Sequence, residues 1–319
     1  MVHREIRMHI GIVGGGIAGS VVADTLHRRG LQVTVLDKAR GPGGRMSSRR
    51  SDVGRFDHGV PFFHGGSEPF QQWLQPWIDQ GIVAQWHPKG GDAAVWVAVP
   101  KMNRLVGAVQ RDVSVTYGCR VVRVCCEGDY WTVHTDTNAA PMQFDALVLA
   151  IPAPQAQSLL HDYPELQSEV GRITYAPCWS VMLQYRTPLQ LDRVVFENQG
   201  PICHAVNEAS KPGRDAGERW VVQMDASWTR SRLEWVAEDV AREVASLFQK
   251  VHGCTTKVSH AVAHRWRFSV VSAAHDAPFL VGADETLAVC GDGFGGAGIE
   301  AAVRSAQALA SGFPRGVQS

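Results

Sequence analysis

The chain has 319 residues, 45% hydrophobic and 19% charged, with 31 basic residues against 31 acidic ones. That length buries a sizeable core and suggests about two domains. The balanced charge, with no basic block or acidic tail, gives nucleic acid or an anionic membrane surface nothing to hold. No apolar run approaches the roughly 18 residues of a membrane span. The seven cysteines include no CxxC pair. Neither a disulfide framework nor a metal site is therefore expected, and reduced thiols in a cytoplasmic protein are the plain reading. Residues 1–9 are charged, and the short apolar stretch after them is Gly-rich, so no secretory leader is expected.

In chain order, Ile10–Val13 is a short apolar strand that stops at Gly14-Gly15-Gly16. Ile17–Arg29 has helical spacing and is closed by Gly30, and Val33–Leu36 is a second strand ending at Asp37. This is a βαβ unit with a parallel pair of strands. Arg40–Arg50 reads as a Gly- and Arg-rich loop, Pro69–Ile82 as an amphipathic helix and Leu105–Val109 as the start of another. Val113–Tyr117, Arg120–Cys126 and Tyr130–Thr135 read as antiparallel strands, and Phe144–Ile151 as one buried strand. A helix begins at Gln155. Beyond Ile173 come strands at Trp179–Tyr185, Val194–Glu197 and Trp220–Ala226, a helix over Trp235–Val251, and an alternating strand over His260–Phe268. Leu287–Cys290 is a last buried strand, followed by Gly291-Asp292-Gly293 and a small-residue helix from Gly298 to Ser311.

Gly14-x-Gly16-x-x-Gly19 follows a strand and opens a helix at Ile17-Ala18. The first glycine permits the turn, the second lets backbone approach a pyrophosphate, and the third lets helix pack on strand. The helix start offers N–H groups and a positive dipole end to phosphate. Asp37 can accept hydrogen bonds from both hydroxyls of an adenosine ribose and would repel a 2′-phosphate. Gly43-Gly44-Arg45-Met46 then adds a second cradle, suited to the second phosphate of a longer dinucleotide such as FAD. The alternative there is a solvated basic loop, since Arg40, Arg49 and Arg50 are close by. At the far end, Asp292 is placed for a ribityl chain, and the helix opening at Gly298-Ile299 can stabilise negative charge. The alternative is a plain strand–turn–helix.

Gly14–Gly19, Asp37-Lys38, Gly41-Pro-Gly-Gly-Arg-Met-Ser47 and Phe56-Asp57-His58-Gly59 resemble the amine-oxidase superfamily of flavoproteins. Within it, Phe144–Pro154, Ser210-Lys-Pro-Gly-Arg-Asp215, Ala263-His-Arg-Trp266 and Val289–Asp292 resemble the renalase branch, especially its bacterial members. The resemblance implies an α/β fold of p-hydroxybenzoate-hydroxylase-like topology. A GxGxxG (Rossmann-type) FAD domain is expected over 1–64, 98–155 and 275–319. A mixed β-sheet substrate domain, roofing the isoalloxazine, is expected over 65–97 and 156–274. The resemblance also implies non-covalent FAD, with Lys38 and Met46 within the cofactor-binding segments, backbone contact of Val121 to adenine, and Val60 and Pro61 near the cofactor. It implies oxidation of aberrant dihydronicotinamide isomers of NAD(P)H, with hydride passing to flavin and O2 returning as H2O2. Two departures bear on the substrate: Gly293-Phe-Gly-Gly-Ala-Gly-Ile-Glu300 follows Asp292, and the Gln85–Val99 stretch is short.

His264 and Trp266 share one face of an alternating strand. There His264 can hydrogen-bond a carboxamide and Trp266 can stack on a ring. The alternative is a core tryptophan beside a satisfied histidine. Asn207, Lys211 and Arg214 can meet a dinucleotide's pyrophosphate, or can form a solvated turn. His58 and Phe63 are expected near the flavin, His64 less so. No dedicated acid or base is expected, because hydride transfer needs alignment and exclusion of water. Three other functions compete: a flavin amine oxidase or other small-molecule flavin dehydrogenase, a non-catalytic flavin-binding sensor, and a nicotinamide-dependent dehydrogenase. The last leaves the Gly-Gly-Arg loop and the Gly-Asp end unexplained.

Overall fold

A computed structural model describes residues 8–91, 93–137 and 139–314; most of the charged N-terminal stretch, residues 1–7, lies outside them. The chain divides into two compact units, the first built from residues 1–44, 106–174 and 271–319, the second from 45–105 and 175–270.

In the first unit, six strands form one sheet in the order Leu280–Val281, Leu287–Val289, Ala146–Leu149, His9–Val13, Gln32–Asp37 and Ser114–Tyr117. All neighbouring pairs are parallel except the first. The central strands are apolar almost throughout, because helices cover a parallel sheet and leave it no wet face. Ile10, Ile12, Val35, Leu147 and Val148 are fully buried. Helices Ile17–Arg28 and Gly298–Gly312 pack on each other. Gly30, at φ +83°, turns the chain out of the first helix in a conformation that favours glycine. A smaller antiparallel sheet has the order Met142–Phe144, Tyr130–Thr135, Val121–Glu127.

Two sequence expectations need correction here. Ser114–Tyr117 is not part of an antiparallel meander: it pairs in parallel with Gln32–Asp37. The turn at Gly118 carries the chain from the large sheet to the small one. It is pinned by Gly118 N–H on the Ala39 carbonyl (2.8 Å) and Cys119 N–H on the Asp37 carbonyl (2.9 Å). The 144–151 run likewise divides, with Phe144 in the small sheet and Ala146–Leu149 in the large one.

The second unit holds a five-stranded sheet in the order Val195–Gln199, Ile202–Asn207, Glu218–Met224, Thr174–Tyr185, Val258–Ala273. Helix Ala237–His252 packs Val240, Val244 and Phe248 onto one face, against Trp179, Val181, Leu183, Tyr185, Trp220 and Val222. By strand alternation, Ser180, Met182, Val221, Gln223, His204, Val262, His264 and Trp266 lie on the opposite face. The helix begins after the expected Trp235, because Val236 still has extended backbone as its N-cap. The Arg-rich stretch forms a hairpin of Arg49–Ser51 with Gly54–Phe56, and Val83–Trp86 pairs with Val95–Ala98. Neither hairpin was apparent from sequence. The Pro69–Ile82 expectation corresponds to helix Glu68–Asp79, which carries Pro76 inside it.

The fold is therefore α/β, a Rossmann-type nucleotide domain with a second unit built on a mostly antiparallel sheet. Among the described residues, no helix is long and apolar enough to cross a membrane, no His/Cys/Asp/Glu group is arranged for a metal, and no disulfide forms.

Candidate active site

In the first unit, the glycine turn closes tightly. Gly14, at φ +106°, donates its N–H to the Leu36 carbonyl (2.9 Å), and a side chain there would strike the Ala150 carbonyl. A Cβ on Gly19 would overlap the Gly14 carbonyl, so the third glycine is required by helix-on-turn packing. Gly16 differs: an ideal Cβ there meets nothing within 4 Å. It is also the N-cap of a helix with no side-chain cap, its own backbone extended at φ −73° and ψ −177°. The helix start therefore faces open space with its N–H groups presented, as a phosphate requires. The side chains of Ile17 and Ala18 are buried, so only their backbone is available to a ligand. Gly44, at φ +53°, lies so close to this turn that its Cβ would come 3.1 Å from Gly16 Cα.

Asp37 is buried at the end of its strand. Its Oδ2 accepts the Gly15 N–H (2.6 Å) and its Oδ1 accepts the Ala39 N–H (2.7 Å). Each oxygen keeps a further lone pair for a sugar hydroxyl. A brace that the sequence did not reveal holds the same turn. Gln110 donates to the Gly15 carbonyl (3.1 Å) and the Ser20 hydroxyl (2.9 Å), and accepts from the Tyr117 hydroxyl (2.6 Å). Burial, with the nearby Asp37 charge, raises the Tyr117 pKa, so its hydroxyl stays a donor. Val121 opens its strand two residues beyond the Cys119–Asp37 contact. Lys38 is exposed and reaches Gln155 (3.2 Å). Partial desolvation and the Arg120 charge lower its pKa.

Just past the C-terminal end of the parallel strand Leu287–Val289, Asp292 is buried within a glycine-rich turn. Gly291, Gly295, Gly296 and Gly298 all have positive φ. A Cβ at Gly291 or Gly298 meets nothing within 4 Å, and Gly298-Ile299 opens the last helix. Ser305 accepts the Gly291 N–H (3.1 Å), tying the turn to that helix. Open space over Gly16, Gly291 and Gly298, beside buried Asp37 and Asp292, fits an extended dinucleotide.

In the second unit, Arg45 accepts the Val60 N–H at its carbonyl (2.8 Å), its guanidinium donates to the Ser269 carbonyl (3.3 Å), and it lies 5.4 Å from the Tyr175 ring centre. Met46 is buried, and Val60 and Pro61 are partly exposed. His58, His264 and Trp266 cluster. Ring centres are 4.9 Å apart for His58–His264, 5.3 Å for His58–Trp266 and 4.4 Å for His264–Trp266. The Trp266 indole N–H donates to the His58 carbonyl (2.9 Å). Burial, then the His264 and Arg49 charges, pull the His58 pKa down to about 4. Burial and Arg49 also lower that of His264. Both imidazoles are therefore neutral at pH 7, with exposed Arg49 beside them. Gln223, which the sequence did not single out, donates to the Gly59 carbonyl (2.6 Å).

The remaining expected residues have other partners. Phe63 is buried edge-to-face against Phe70 and exchanges backbone hydrogen bonds with Trp96 (2.9 and 2.7 Å). His64 is exposed, with its ring against Phe62. Asn207 commits its amide to the Ala209 N–H (3.0 Å) and Glu218 (3.2 Å). Lys211 and Arg214 form neither a solvated turn nor a phosphate cradle. The Lys211 side chain is buried against Asp57 and Glu208, and that of Arg214 against Asp57.

Comparison with known proteins adds the lineage. Residues 12–77 match the NAD(P)-binding Rossmann-like domain, and residues 79–311 match the flavin containing amine oxidoreductase family. The tRNA 5-methylaminomethyl-2-thiouridine biosynthesis bifunctional protein MnmC of Magnetococcus marinus is 24% identical over 288 residues. That alignment takes in 70% of this chain, which spans only 41% of the relative's length. Two solved structures share the fold at 12% identity. One is an Exiguobacterium sp. 255-15 protein named as a protoporphyrinogen oxidase, with TM-score 0.77 over 96% of this chain and 98% of that one. The other is an oxidoreductase from Methanosarcina mazei, with TM-score 0.68 over 95% and 100%.

Proposed function

The chain belongs to the flavin-containing amine oxidoreductase family and is a flavin-dependent oxidoreductase; on that premise we propose that it binds FAD non-covalently and oxidises dihydronicotinamide isomers of NAD(P)H in the renalase manner. Within the turn that Gly14 and Gly19 shape, Gly16 and the backbone of Ile17-Ala18 would take one phosphate, Gly44 and Arg45 the other. Asp37 would take the adenosine ribose, with Lys38 and Val121 near the adenosine end. Asp292 would take the ribityl chain, with Gly298-Ile299, Met46, Val60 and Pro61 toward the flavin ring.

What supports this substrate is the His58–His264–Trp266 cluster. An indole is a platform for a flat ring. A neutral imidazole offers both a donor and an acceptor to a carboxamide. Arg49 is an exposed cation beside them for a phosphate. These residues bind, align and desolvate the substrate ring; no proton has to be taken from it. When bound, the flavin would supply the hydride-accepting ring and the route by which the electron pair reaches O2. The substrate loses a hydride and becomes the aromatic oxidised dinucleotide. O2 takes up the two electrons, the transferred hydrogen and one solvent proton, giving H2O2.

The family's own description favours a second reading, oxidation of a small amine, in which a neutral His58 or His264 would accept the amine's proton. Steady-state turnover separates the two. The proposal expects one H2O2 and one NAD(P)+ per isomer consumed. Ammonia or aldehyde released from an amine, with no NAD(P)+ formed from isomers, would replace it.

A further inference from the structure

Two motifs far apart in sequence, Phe56-Asp57-His58-Gly59 and Ser210–Arg214, meet inside the second unit. Lys211 Nζ lies 3.2 Å from Asp57 Oδ2 and 2.5 Å from Glu208 Oε1, and Arg214 Nη2 lies 2.6 Å from Asp57 Oδ2. All four side chains are almost completely buried, at 0–4% exposure. Two basic and two acidic side chains meet there; burial raises the Glu208 pKa, and Lys211 opposes that rise. Asp57 Oδ1 also accepts the Ser48 hydroxyl and the Met102 N–H (3.0 Å), and the Asp57 N–H donates to Glu208 Oε2 (3.0 Å). Burial opposes the charge of Asp57, but Lys211 and Arg214 outweigh it and keep its carboxyl well below the ordinary range.

A buried ion cluster is a poor source of net stability, since apolar residues of similar volume often do as well. What charged hydrogen bonds add is direction. Asp57 is held by five such partners, and the three residues after it are each fixed at the backbone: His58 by Trp266, Gly59 by Gln223 and Val60 by Arg45.

We propose that the Asp57–Glu208–Lys211–Arg214 quartet is a positioning device: it sets the course of residues 57–59 and so fixes the His58–Trp266–His264 cluster that recognises the substrate ring. The four are positioning residues, not catalytic ones. This rests on the reading of that cluster as the substrate site.

Asp57→Asn tests it in the full-length, flavin-loaded protein. The variant is isosteric and keeps acceptors for Ser48 and Met102, but turns an amide toward Lys211 and Arg214. Flavin content is expected to hold, while the dissociation constant of a 6-dihydro NADPH isomer, measured anaerobically, rises about tenfold or more. The Trp266 indole N–H resonance, assigned with Trp266→Phe, is expected to move. Should Asp57→Asn not fold, Ser48→Ala removes a single partner and is expected to give a smaller change of the same kind. Affinity within about twofold of the parent together with an unmoved indole resonance, in whichever variant folds, overturns the proposal. If Trp266→Phe and His264→Ala weaken binding while the quartet variants do not, the positioning role fails and the cluster reading stands. If those two variants leave binding unchanged as well, the cluster reading falls and takes the proposal with it.

Discussion

Gly16→Ala isolates the cofactor claim from the fold. The backbone at Gly16 is ordinary extended chain, and the new methyl group meets no protein atom within 4 Å. Replacing an N-cap glycine by alanine costs about 0.5 kcal/mol or somewhat more. Reduced freedom of the unfolded chain returns about 0.4–1 kcal/mol. The apoprotein's unfolding free energy should therefore stay within about 0.5 kcal/mol of the parent's in urea melts. The open space, however, is where a pyrophosphate would sit, and the methyl would push it off the helix start. Losing one charge-assisted hydrogen bond costs about 1.5–3 kcal/mol, or roughly 10- to 150-fold in affinity for FAD. Fluorescence titration of apoprotein with FAD measures this directly. Gly19→Ala is the contrast: its methyl overlaps the Gly14 carbonyl, so it should destabilise the apoprotein itself. If Gly16→Ala binds FAD within about twofold of the parent, phosphate does not lie over Gly16 and the cofactor placement is wrong.

Three further outcomes follow from the geometry. Gln110→Leu should leave the Gly15 carbonyl and the Tyr117 hydroxyl without their partner, costing about 1–3 kcal/mol of stability and weakening FAD in the same titration. Lys211→Met should strand Glu208 beside Asp57 and cost about 3–5 kcal/mol in urea melts, with Glu208→Gln/Lys211→Met recovering part of it. His58 titrates near 4 in the folded chain against 6.5 for an unperturbed imidazole. Between those values the unfolded state binds the extra proton, so stability is full above pH 6.5 and falls as pH drops toward 4. At about 1.4 kcal/mol per pH unit the loss reaches at most about 3.5 kcal/mol. His58→Phe should flatten that acid limb in melts taken across the same range.

The glycine turn, Asp37 and the Gly-Asp end were legible in the sequence because each is a local pattern with a local cause: a turn, a strand end, a helix start. The shared face of His264 and Trp266 followed from strand alternation alone. What the sequence hid was set by partners distant along the chain. Lys211 and Arg214 read as a pyrophosphate contact or a surface turn because nothing near them announces Asp57, 154 residues from Lys211. Gln110 drew no notice in the sequence, yet it braces Gly15, 95 residues away. Ser114–Tyr117 was misread because the chain changes sheets at Gly118, a turn that resembles a hairpin locally. The Arg49–Ser51 and Gly54–Phe56 hairpin has strands too short, and too rich in arginine, to show alternation.

Anaerobic stopped-flow mixing of the flavin-loaded protein with 2- and 6-dihydro isomers of NAD(P)H, against ordinary NADH and simple amines, tests the central claim most directly. The account predicts rapid bleaching of the flavin band by an isomer alone, and its return on admitting air, with H2O2 released. Bleaching by amines or ordinary NADH while the isomers leave the band untouched would contradict it.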